Sequence, residues 1–308
     1  MIEVYASVSG KIVRQSLHDL QLARSIAWID LSDPTNEELN HLKEKTNIPL
    51  VELRHALDKK ERSRVKITNE YTLIIYNGIS ERSSHPITPV GIFFTRKYVL
   101  TIHSSDMRSF DDIDPQSEIF KKVMQRGTEY LLYTLLFRMI KEYFDPIDKI
   151  DDLLSQIEEG VVHKYTSEGT RKISSTKTRL TYLHKSLLGN HEAIVSLTKL
   201  DIFKEQHMFD DLNVEVAQMI EEVELFIERL NTSLFLYLMA VSNRLNDVMR
   251  IFTIFASLLL IPTLVTGLYG MNVKLPLATD PNIFWMIVTG MIVLMAVMLW
   301  TYRFKKWI

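Results

Sequence analysis

The chain has 308 residues, a formal net charge of −2 and no cysteine. The near-neutral charge argues against nucleic-acid binding through bulk electrostatics, and the lack of cysteine excludes disulfides and thiolate metal sites. The N-terminal residues lack a basic region followed by an apolar core, so we expect no signal peptide and a cytoplasmic N-terminal part.

Residues 1–115 predict a cytoplasmic α/β domain, because short β-favouring runs alternate there with helix signals. Strands are predicted at Ile2–Val8, Ile26–Leu31, Tyr71–Ile79 and Gly91–His103, the last as a hairpin turning near Arg96 and Lys97. Cap residues and first-turn acids after Ser32 predict a helix over Thr35–Thr46, and a second helix is predicted over Pro49–Leu57.

Residues 116–209 predict a cytoplasmic helical region, since apolar residues recur there at helical spacing. We expect a polar turn over Gly160–Gly169, a helix from Arg171 to about Leu188, and a further helix that follows Asn190 and ends before Asp210. His184 and His191 could share a helix face and bind metal, although a solvated face is the commoner explanation.

The last soluble helix is predicted to start near Phe209 and to continue without a break into an uncharged run from Ile251 to Tyr269. We assign 210–250 as a stalk and 251–270 as a first membrane span, because the run has the length needed to cross a bilayer. One helix of about sixty residues far exceeds the globular average and is expected of a stalk in an oligomeric bundle.

A second uncharged run predicts a second span over 283–302, joined by a loop over 271–282 and followed by a basic end over 303–308. Arg244 and Arg250 precede the first span, and Arg303 and Lys305 follow the second. The excess of basic residues at these ends predicts that both termini face the cytoplasm of a cell membrane protein.

Residues spaced alternately by three and four positions share one face of the long helix, and this set, which we call the seam, includes small and hydroxyl-bearing residues. It consists of Asn246, Met249, Thr253, Ala256, Leu260, Thr263, Gly267 and Gly270. Such a pattern suits a left-handed bundle whose oxygens face a polar axis. Because a two-helix hairpin cannot enclose an ion path, this interpretation needs several copies; the alternative is that the seam only supports helix packing.

The end of the first span offers oxygens, from accessible carbonyls at Gly267 and Gly270 and from the Asn272 side chain, with Pro262 loosening the helix before them. Neutral oxygen rings suit Mg²⁺, which gives up its water reluctantly. The alternative is that Asn272 is simply a helix C-cap.

The segment Tyr269-Gly270-Met271-Asn272 ends the penultimate span and is followed by a short loop, a second span and a basic-aromatic end. In this last part the chain resembles the CorA family of divalent cation channels. The Asn246–Arg250 segment resembles that family's inner gate region, and Trp28–Leu31 with the following Asp33-Pro34-Thr35 resembles its N-terminal part. The resemblance covers the whole chain.

The resemblance implies an α+β cytoplasmic domain, long helices and a transmembrane hairpin, assembled as a funnel-shaped homopentamer. It implies uptake of Mg²⁺, with Co²⁺ and Ni²⁺ as further ions, and no enzymatic activity. Gly270, Met271 and Asn272 would form the selectivity filter. The residues that would line the pore or gate are Asn246, Met249, Phe252, Thr253, Ala256, Leu260, Thr263 and Gly267.

In this family, cytoplasmic Mg²⁺ closes the pore by bridging acids of neighbouring subunits. The resemblance places Asp211 in that role, with Asp210 as a substitute, and leaves Asp106, Asp111, Asp112 and Asp114 as candidate partners. The alternative for each acid is a solvated helix start or loop.

Two departures from the family pattern leave the ion open. The loop after Asn272 lacks the usual external Glu and carries Lys274 and Asp280, and Phe235 stands where some relatives have an acid. A zinc transporter of the same fold (ZntB-like, with proton coupling) is therefore the nearest alternative. A membrane-anchored sensor or enzyme is a further one, although no catalytic motif supports it.

Overall fold

The computed structural model describes residues 2–8, 11–20, 26–58, 61–80, 87–104, 107–111, 113–163, 167–200, 202–273, 281–305 and 307. The chain divides into two compact units, which we call unit 1 (residues 1–233) and unit 2 (residues 234–308). Unit 1 holds a β-sheet and most of the helices, and unit 2 is helical.

The described residues of unit 1 include a seven-stranded sheet. Its strands are β1 (Ile2–Val8), β2 (Lys11–Gln15), β3 (Ile26–Ser32), β4 (Arg64–Ile67), β5 (Thr72–Ile79), β6 (Ile87–Phe94) and β7 (Tyr98–His103). The order is β2-β1-β3-β7-β6-β5-β4, in which β3 and β7 pair in parallel and the other neighbours are antiparallel. The predicted mixed sheet is confirmed.

The helices run through both units. They are α1 (Asn36–Thr46), α2 (Leu50–His55), α3 (Arg108–Asp111), α4 (Glu118–Arg126), α5 (Thr128–Lys141), α6 (Phe144–His163), α7 (Ser167–Thr198), α8 (His207–Tyr269) and α9 (Pro281–Phe304). At the start of α1 the Thr35 hydroxyl accepts from the Glu38 N–H while the Glu38 carboxylate accepts from the Thr35 N–H. This capping box explains why the sequence signal located the helix correctly.

Both faces of the sheet are covered, as alternation along its strands requires. Leu39 and Leu42 of α1 and Leu53 of α2 join a core with alternate residues of β1, β3, β5 and β7. The backbone of β6 approaches closely at Gly91, where a side chain would collide with the Ala56 Cβ. On the opposite face Trp28 packs with Tyr5, Phe110 and Phe120.

Two strands, β2 and β4, were not predicted, and β6 starts at Ile87 rather than at Gly91. Both missed strands are short outer strands, and their side chains are partly or fully exposed. Backbone pairing rather than burial therefore defines them. The β2 sequence, Lys-Ile-Val-Arg-Gln, does not alternate, and the alternation of β4, Arg-Val-Lys-Ile, spans only four residues, which is too short to indicate a strand.

The prediction that a helix ends before Asn190 is wrong, because α7 continues to Thr198. The polar turn predicted over 160–169 is also shorter, since α6 includes Gly160 and α7 begins at Ser167. Gly189 permits close packing instead of breaking the helix, because a Cβ there would lie 3.1 Å from Ser63 Oγ.

Asn190 is fully buried and binds the backbone of β5. Its Oδ1 accepts from the Asn77 N–H at 2.8 Å, and its Nδ2 donates to the Asn77 carbonyl at 2.9 Å. The Ser63 hydroxyl donates to the same Oδ1 at 3.0 Å, and Tyr143 Oη donates to the Asn77 carbonyl at 3.0 Å. Strand β4 pairs with β5 only as far as Ile75 of β5. Beyond that residue, the Asn190 side chain makes the backbone hydrogen bonds that a neighbouring strand would otherwise make.

The long helix is confirmed, since α8 runs without interruption for 63 residues. Within unit 1 its apolar side is buried, as Val216 and Val223 show. Arg229 of α8 binds two acids of α6, donating to Asp151 Oδ1 at 2.6 Å and to Glu158 Oε2 at 2.9 Å. Hydrogen bonds to these carboxylates, Glu158 first, raise the pKa of Arg229, and the ion pairs join α6 to α8.

Candidate ion path and cation sites

In unit 2, the part of α8 beyond Leu234 and the helix α9 carry long apolar stretches. Each helix is long and apolar enough to cross a membrane, by length and composition. Among the described residues of unit 2, only Tyr237 and Ile254 are buried. The apolar side chains of unit 2 therefore need contacts from outside the single chain, either lipid or other copies.

One face of α8 packs towards α9. Tyr302 Oη of α9 donates to Ser257 Oγ of α8 at 2.8 Å. The buried or half-buried α8 positions from this point onwards recur at three and four residues; they are Ile254, Ser257, Leu258, Ile261, Pro262 and Val265. On α9 the half-buried positions follow the same spacing, with Ile287, Met291 and Met298 among them.

The seam lies on a different face of α8. Its centre is about 150° round the helix from the α9-facing residues, at about 100° per residue. Every seam residue is exposed in the single chain, and so is Phe252. The structure thus brings the predicted pore-lining residues onto one continuous, uncovered stripe of a single helix.

Threonine hydroxyls on and beside the seam donate their protons to the helix itself. Thr253 Oγ1 donates to the Met249 carbonyl at 2.8 Å, and Thr263 Oγ1 donates to the Leu259 carbonyl at 2.7 Å. A hydroxyl has one proton and two lone pairs, so these oxygens present acceptor character outwards. Acceptors are what the water shell of a cation requires, because its hydrogens point away from the ion.

The filter residues Gly270, Met271 and Asn272 follow directly on the end of α8 at Tyr269. The Gly270 N–H donates to the Thr266 carbonyl at 2.8 Å, and the Met271 N–H donates to the Leu268 carbonyl at 3.3 Å, which tightens the last turn. Asn272 lies exposed in the bend that follows. The loop positions Lys274 and Asp280, on which the ion prediction depends, lie outside the described residues.

The two glycines of this region differ in their surroundings. A Cβ at Gly270 would lie 2.9 Å from the Thr266 carbonyl oxygen, so the chain itself restricts this position to glycine. A Cβ at Gly267 would meet nothing within 4 Å. Any need for glycine at position 267 must therefore come from outside the single chain.

The candidate regulatory acids Asp210 and Asp211 are exposed near the start of α8. Two ion pairs join neighbouring residues to α4 and α5, Glu205 to Arg126 and Glu215 to Lys141, each at 2.7 Å.

The pKa of the Tyr133 phenol on α5 is raised, first by burial and then by the negative charge of Asp211. The region is therefore rich in paired charge, with Asp211 facing outwards.

A complete metal site is not formed within one chain by the residues that the structure describes, since no three His, Asp or Glu side chains converge. Of the proposed partner acids, Asp106 and Asp112 lie outside the described residues, and only the backbone of Asp111 is described. Asp114 is exposed and accepts from the Gln116 N–H at 2.9 Å.

The structure locates the histidine pair that the sequence suggested, and it shows one contact that the sequence did not suggest. His184 and His191 both lie on α7, and His184 Nε2 lies 3.0 Å from Glu224 Oε1 of α8, which gives an inter-helix contact between two potential ligands. The contact between Ser257 and Tyr302 was missed. The only signal for it in the sequence is a serine within the first apolar run and a tyrosine at the end of the second.

Comparison with known proteins identifies the family. The model of the CorA-like Mg²⁺ transporter protein family matches residues 23–306. The chain is 29% identical to the cobalt/magnesium transport protein CorA of Methanocaldococcus jannaschii, with both chains fully covered. It is 26% identical to the protein of that name from Thermotoga maritima, covering 84% of this chain and 76% of the relative.

The fold agrees with this result. The complete structure of the CorA magnesium transporter from Methanocaldococcus jannaschii superposes with a TM-score of 0.89 at 28% identity, covering 100% of this chain and 99% of the other. The resemblance inferred from the Gly270-Met271-Asn272 motif is thereby confirmed. The chain belongs to the CorA-like Mg²⁺ transporter protein family.

Proposed function

We propose that the protein is a homopentameric channel for Mg²⁺, with Co²⁺ and Ni²⁺ as further ions, in the cell membrane. The observation that carries this proposal is the seam, which is fully exposed in the single chain although it runs along an apolar helix. Five copies of α8 arranged around an axis would cover the seam and enclose a path. The relatives named as cobalt/magnesium transport proteins support the choice of ions.

Beyond the predicted spans, the same alternation continues into the stalk. The exposed α8 positions of unit 1 at this spacing are Val214, Gln218, Glu221, Leu225, Glu228 and Thr232. A repeat of three and four residues over this length supports assembly of parallel α8 helices, which keep such a stripe facing their neighbours.

Along the path, each group has a physical role. The Asn272 amide oxygen and the Gly270 carbonyl would accept hydrogen bonds from a hydrated ion at the outer end. The hydroxyls of Thr263 and Thr253 would receive its water shell further along. Met249 and Phe252, both exposed and apolar, would form a constriction that excludes water when the path closes.

We infer the boundaries of the two membrane spans from the uncharged runs and their orientation from the basic residues that flank them. Residues 251–270 and 283–302 are the proposed membrane spans, 271–282 the external loop, and 210–250 the stalk. Arg244 and Arg250 before the first span and Arg303 and Lys305 after the second support a cytoplasmic location for both termini.

The test is ion uptake into liposomes that contain the purified protein, driven by an inside-negative potential. We expect Mg²⁺ entry that needs no pH gradient. A parallel experiment with Zn²⁺ and an imposed proton gradient distinguishes the alternative, since zinc entry that depends on that gradient would identify a proton-coupled zinc transporter instead.

The first prediction concerns the filter. Asn272→Ala removes the amide oxygen and should reduce Mg²⁺ entry at least about tenfold, equivalent to about 1.4 kcal/mol, while the pentamer still assembles. Asn231→Ala, an exposed asparagine of α8 in unit 1, is the matched control and should transport normally. Undiminished entry through the Asn272 variant would remove this residue from the filter.

The second prediction concerns regulation. We propose that cytoplasmic Mg²⁺ binds Asp211, or Asp210, together with acids of a neighbouring subunit and thereby closes the channel. In Asp211→Asn, the internal Mg²⁺ concentration that halves the flux should be higher than in the unchanged protein, because an amide binds Mg²⁺ more weakly than a carboxylate does.

Glu215→Gln, which changes an acid one turn away that already pairs with Lys141, is the control. Equal shifts in the two variants would indicate a general electrostatic effect rather than a site at Asp211.

A further inference from the structure

Two hydroxyl groups connect α9 to the backbone of α8 within unit 2. Tyr302 Oη donates to Ser257 Oγ at 2.8 Å, and Ser257 Oγ donates in turn to the Ile254 carbonyl at 2.8 Å. Ile254 is itself one of the two buried residues in the described part of unit 2. Each proton has an acceptor, so the direction of the whole hydrogen-bond chain is fixed.

The tyrosine is held from its other side by the end of the chain. The Trp307 ring stacks on the Tyr302 ring at 5.8 Å between centroids and 5° between planes. The Trp307 N–H also donates to the Tyr302 carbonyl at 2.9 Å. The C-terminal turn therefore holds the phenol in the orientation that reaches Ser257.

The contact lies on the α9-facing side of α8, next in sequence to a seam residue and just before the proline of this helix. Ser257 directly follows the seam residue Ala256. Pro262, just over a turn later, has no N–H and cannot bond the Leu258 carbonyl, so the helix is locally weaker there. A side-chain bond at Ser257 is thus placed where it can set the rotation of α8 before that weak point.

We propose that Ser257 and Tyr302 are positioning residues which fix the rotation of α8 about its own axis, so that the seam faces the ion path. This inference rests on the proposed channel function. The side chains make no contact with the ion; they act by holding Ala256, Thr253 and Leu260 in register.

Because the chain contains no cysteine, single cysteines can report on that rotation without background. Ala256→Cys places the thiol on the seam, and Phe255→Cys places it away from the seam, at the preceding residue, which is also exposed. Both are reacted with a charged, water-soluble thiol reagent in proteoliposomes containing EDTA, where the proposed channel is open. The measured quantity is the ratio of the two labelling rates.

With Ser257 and Tyr302 intact, Ala256→Cys should react much faster than Phe255→Cys. Adding Tyr302→Phe should lower this ratio at least about threefold, the equivalent of the average inter-helix hydrogen bond measured in membranes. Ser257→Ala should lower it equally, and the combination of both should have no further effect, because they break the same bond. Ser257→Thr, which keeps the hydroxyl, should restore the ratio.

Thr301→Ala is the matched control, since the Thr301 hydroxyl donates only within α9, to the Met298 carbonyl at 2.7 Å. An unchanged ratio in Tyr302→Phe, or an equal fall in Thr301→Ala, would overturn the positioning role while leaving the channel intact. If Ala256→Cys is unreactive with Ser257 and Tyr302 both present, the seam does not line a water-filled path. That result would overturn the proposed path and the positioning role together.

Discussion

The helix α8 is built differently in the two units that it passes through. In unit 1, valine, leucine and methionine residues such as Val216 and Met219 are buried, and the exposed positions are largely polar. In unit 2, leucine and phenylalanine residues such as Leu259 and Phe255 are exposed to about the same degree as surface residues of unit 1. One continuous helix therefore carries side chains suited to water in unit 1 and side chains suited to an apolar environment in unit 2.

The difference separates two sources of stability. Unit 1 satisfies its apolar and polar groups within the chain, as the core of the sheet and the Asn190 contacts show. Unit 2 satisfies its backbone through its helices but leaves its apolar side chains to be covered by lipid or by neighbouring copies. Two apolar residues that are equally exposed in the single chain, one in each unit, should therefore respond differently to substitution by a charged residue.

The largest expected effect tests this comparison directly. Leu259 in unit 2 and Val51 of α2 in unit 1 are each 63% exposed. Leu259→Lys should cost about 3 kcal/mol of membrane insertion, since it places an ammonium group in the bilayer. Val51→Lys should change the free energy of unfolding by no more than about 0.5 kcal/mol.

The measurements are the inserted fraction of each variant in a membrane-insertion assay and its unfolding midpoint. Tolerance of lysine at both positions would mean that Leu259 faces water, and the assignment of the 251–270 span would be wrong.

A smaller effect is expected where unit 1 buries polar groups. Asn190→Ala leaves the backbone N–H and carbonyl of Asn77 without these partners and should cost about 2 kcal/mol of stability. The exposed Asn231→Ala is the control and should be close to neutral. The measurement is the thermal unfolding of the full chain in detergent, and a neutral Asn190→Ala would mean that water replaces the lost bonds.

The smallest expected effect is a pH dependence in unit 1. Burial raises the pKa of Glu52, but hydrogen bonds from Lys66 and Tyr71 outweigh it, so the pKa lies below its usual value. A depressed pKa contributes stability above the unfolded pKa, and that contribution is lost as the pH falls through the lower folded pKa.

Solvent screening keeps this contribution below about 1 kcal/mol. The thermal midpoint should therefore fall less steeply between about pH 5 and pH 3 in Glu52→Gln. Parallel profiles for the variant and the unchanged protein would remove Glu52 from the acid response.

Much of this architecture could be predicted from the sequence because its signals are local. The capping box at Thr35 and Glu38, the uncharged run after Arg250 and the three-and-four alternation of the seam all act within a few residues. The Gly270-Met271-Asn272 motif additionally indicated the family.

What could not be predicted depends on distant contacts. Asn190, which follows a glycine, looks like the end of a helix in the sequence. The helix nevertheless continues through it, and its side-chain amide binds Asn77, 113 residues away in sequence. The Ser257 and Tyr302 contact is likewise invisible until α8 and α9 pack together. A partner for Asp211 stays a prediction, because it would lie on another chain.

The unlike surroundings of Gly267 and Gly270 have a consequence for how variation at these positions should be interpreted. The chain's own geometry forbids a side chain at 270, whereas it leaves room for one at 267. A collection of functional variants would therefore separate two kinds of selection, one acting on the folding of a single molecule and one acting only after molecules meet. Position 267 would record the second kind, and its substitution pattern could reveal an assembly that no isolated subunit displays.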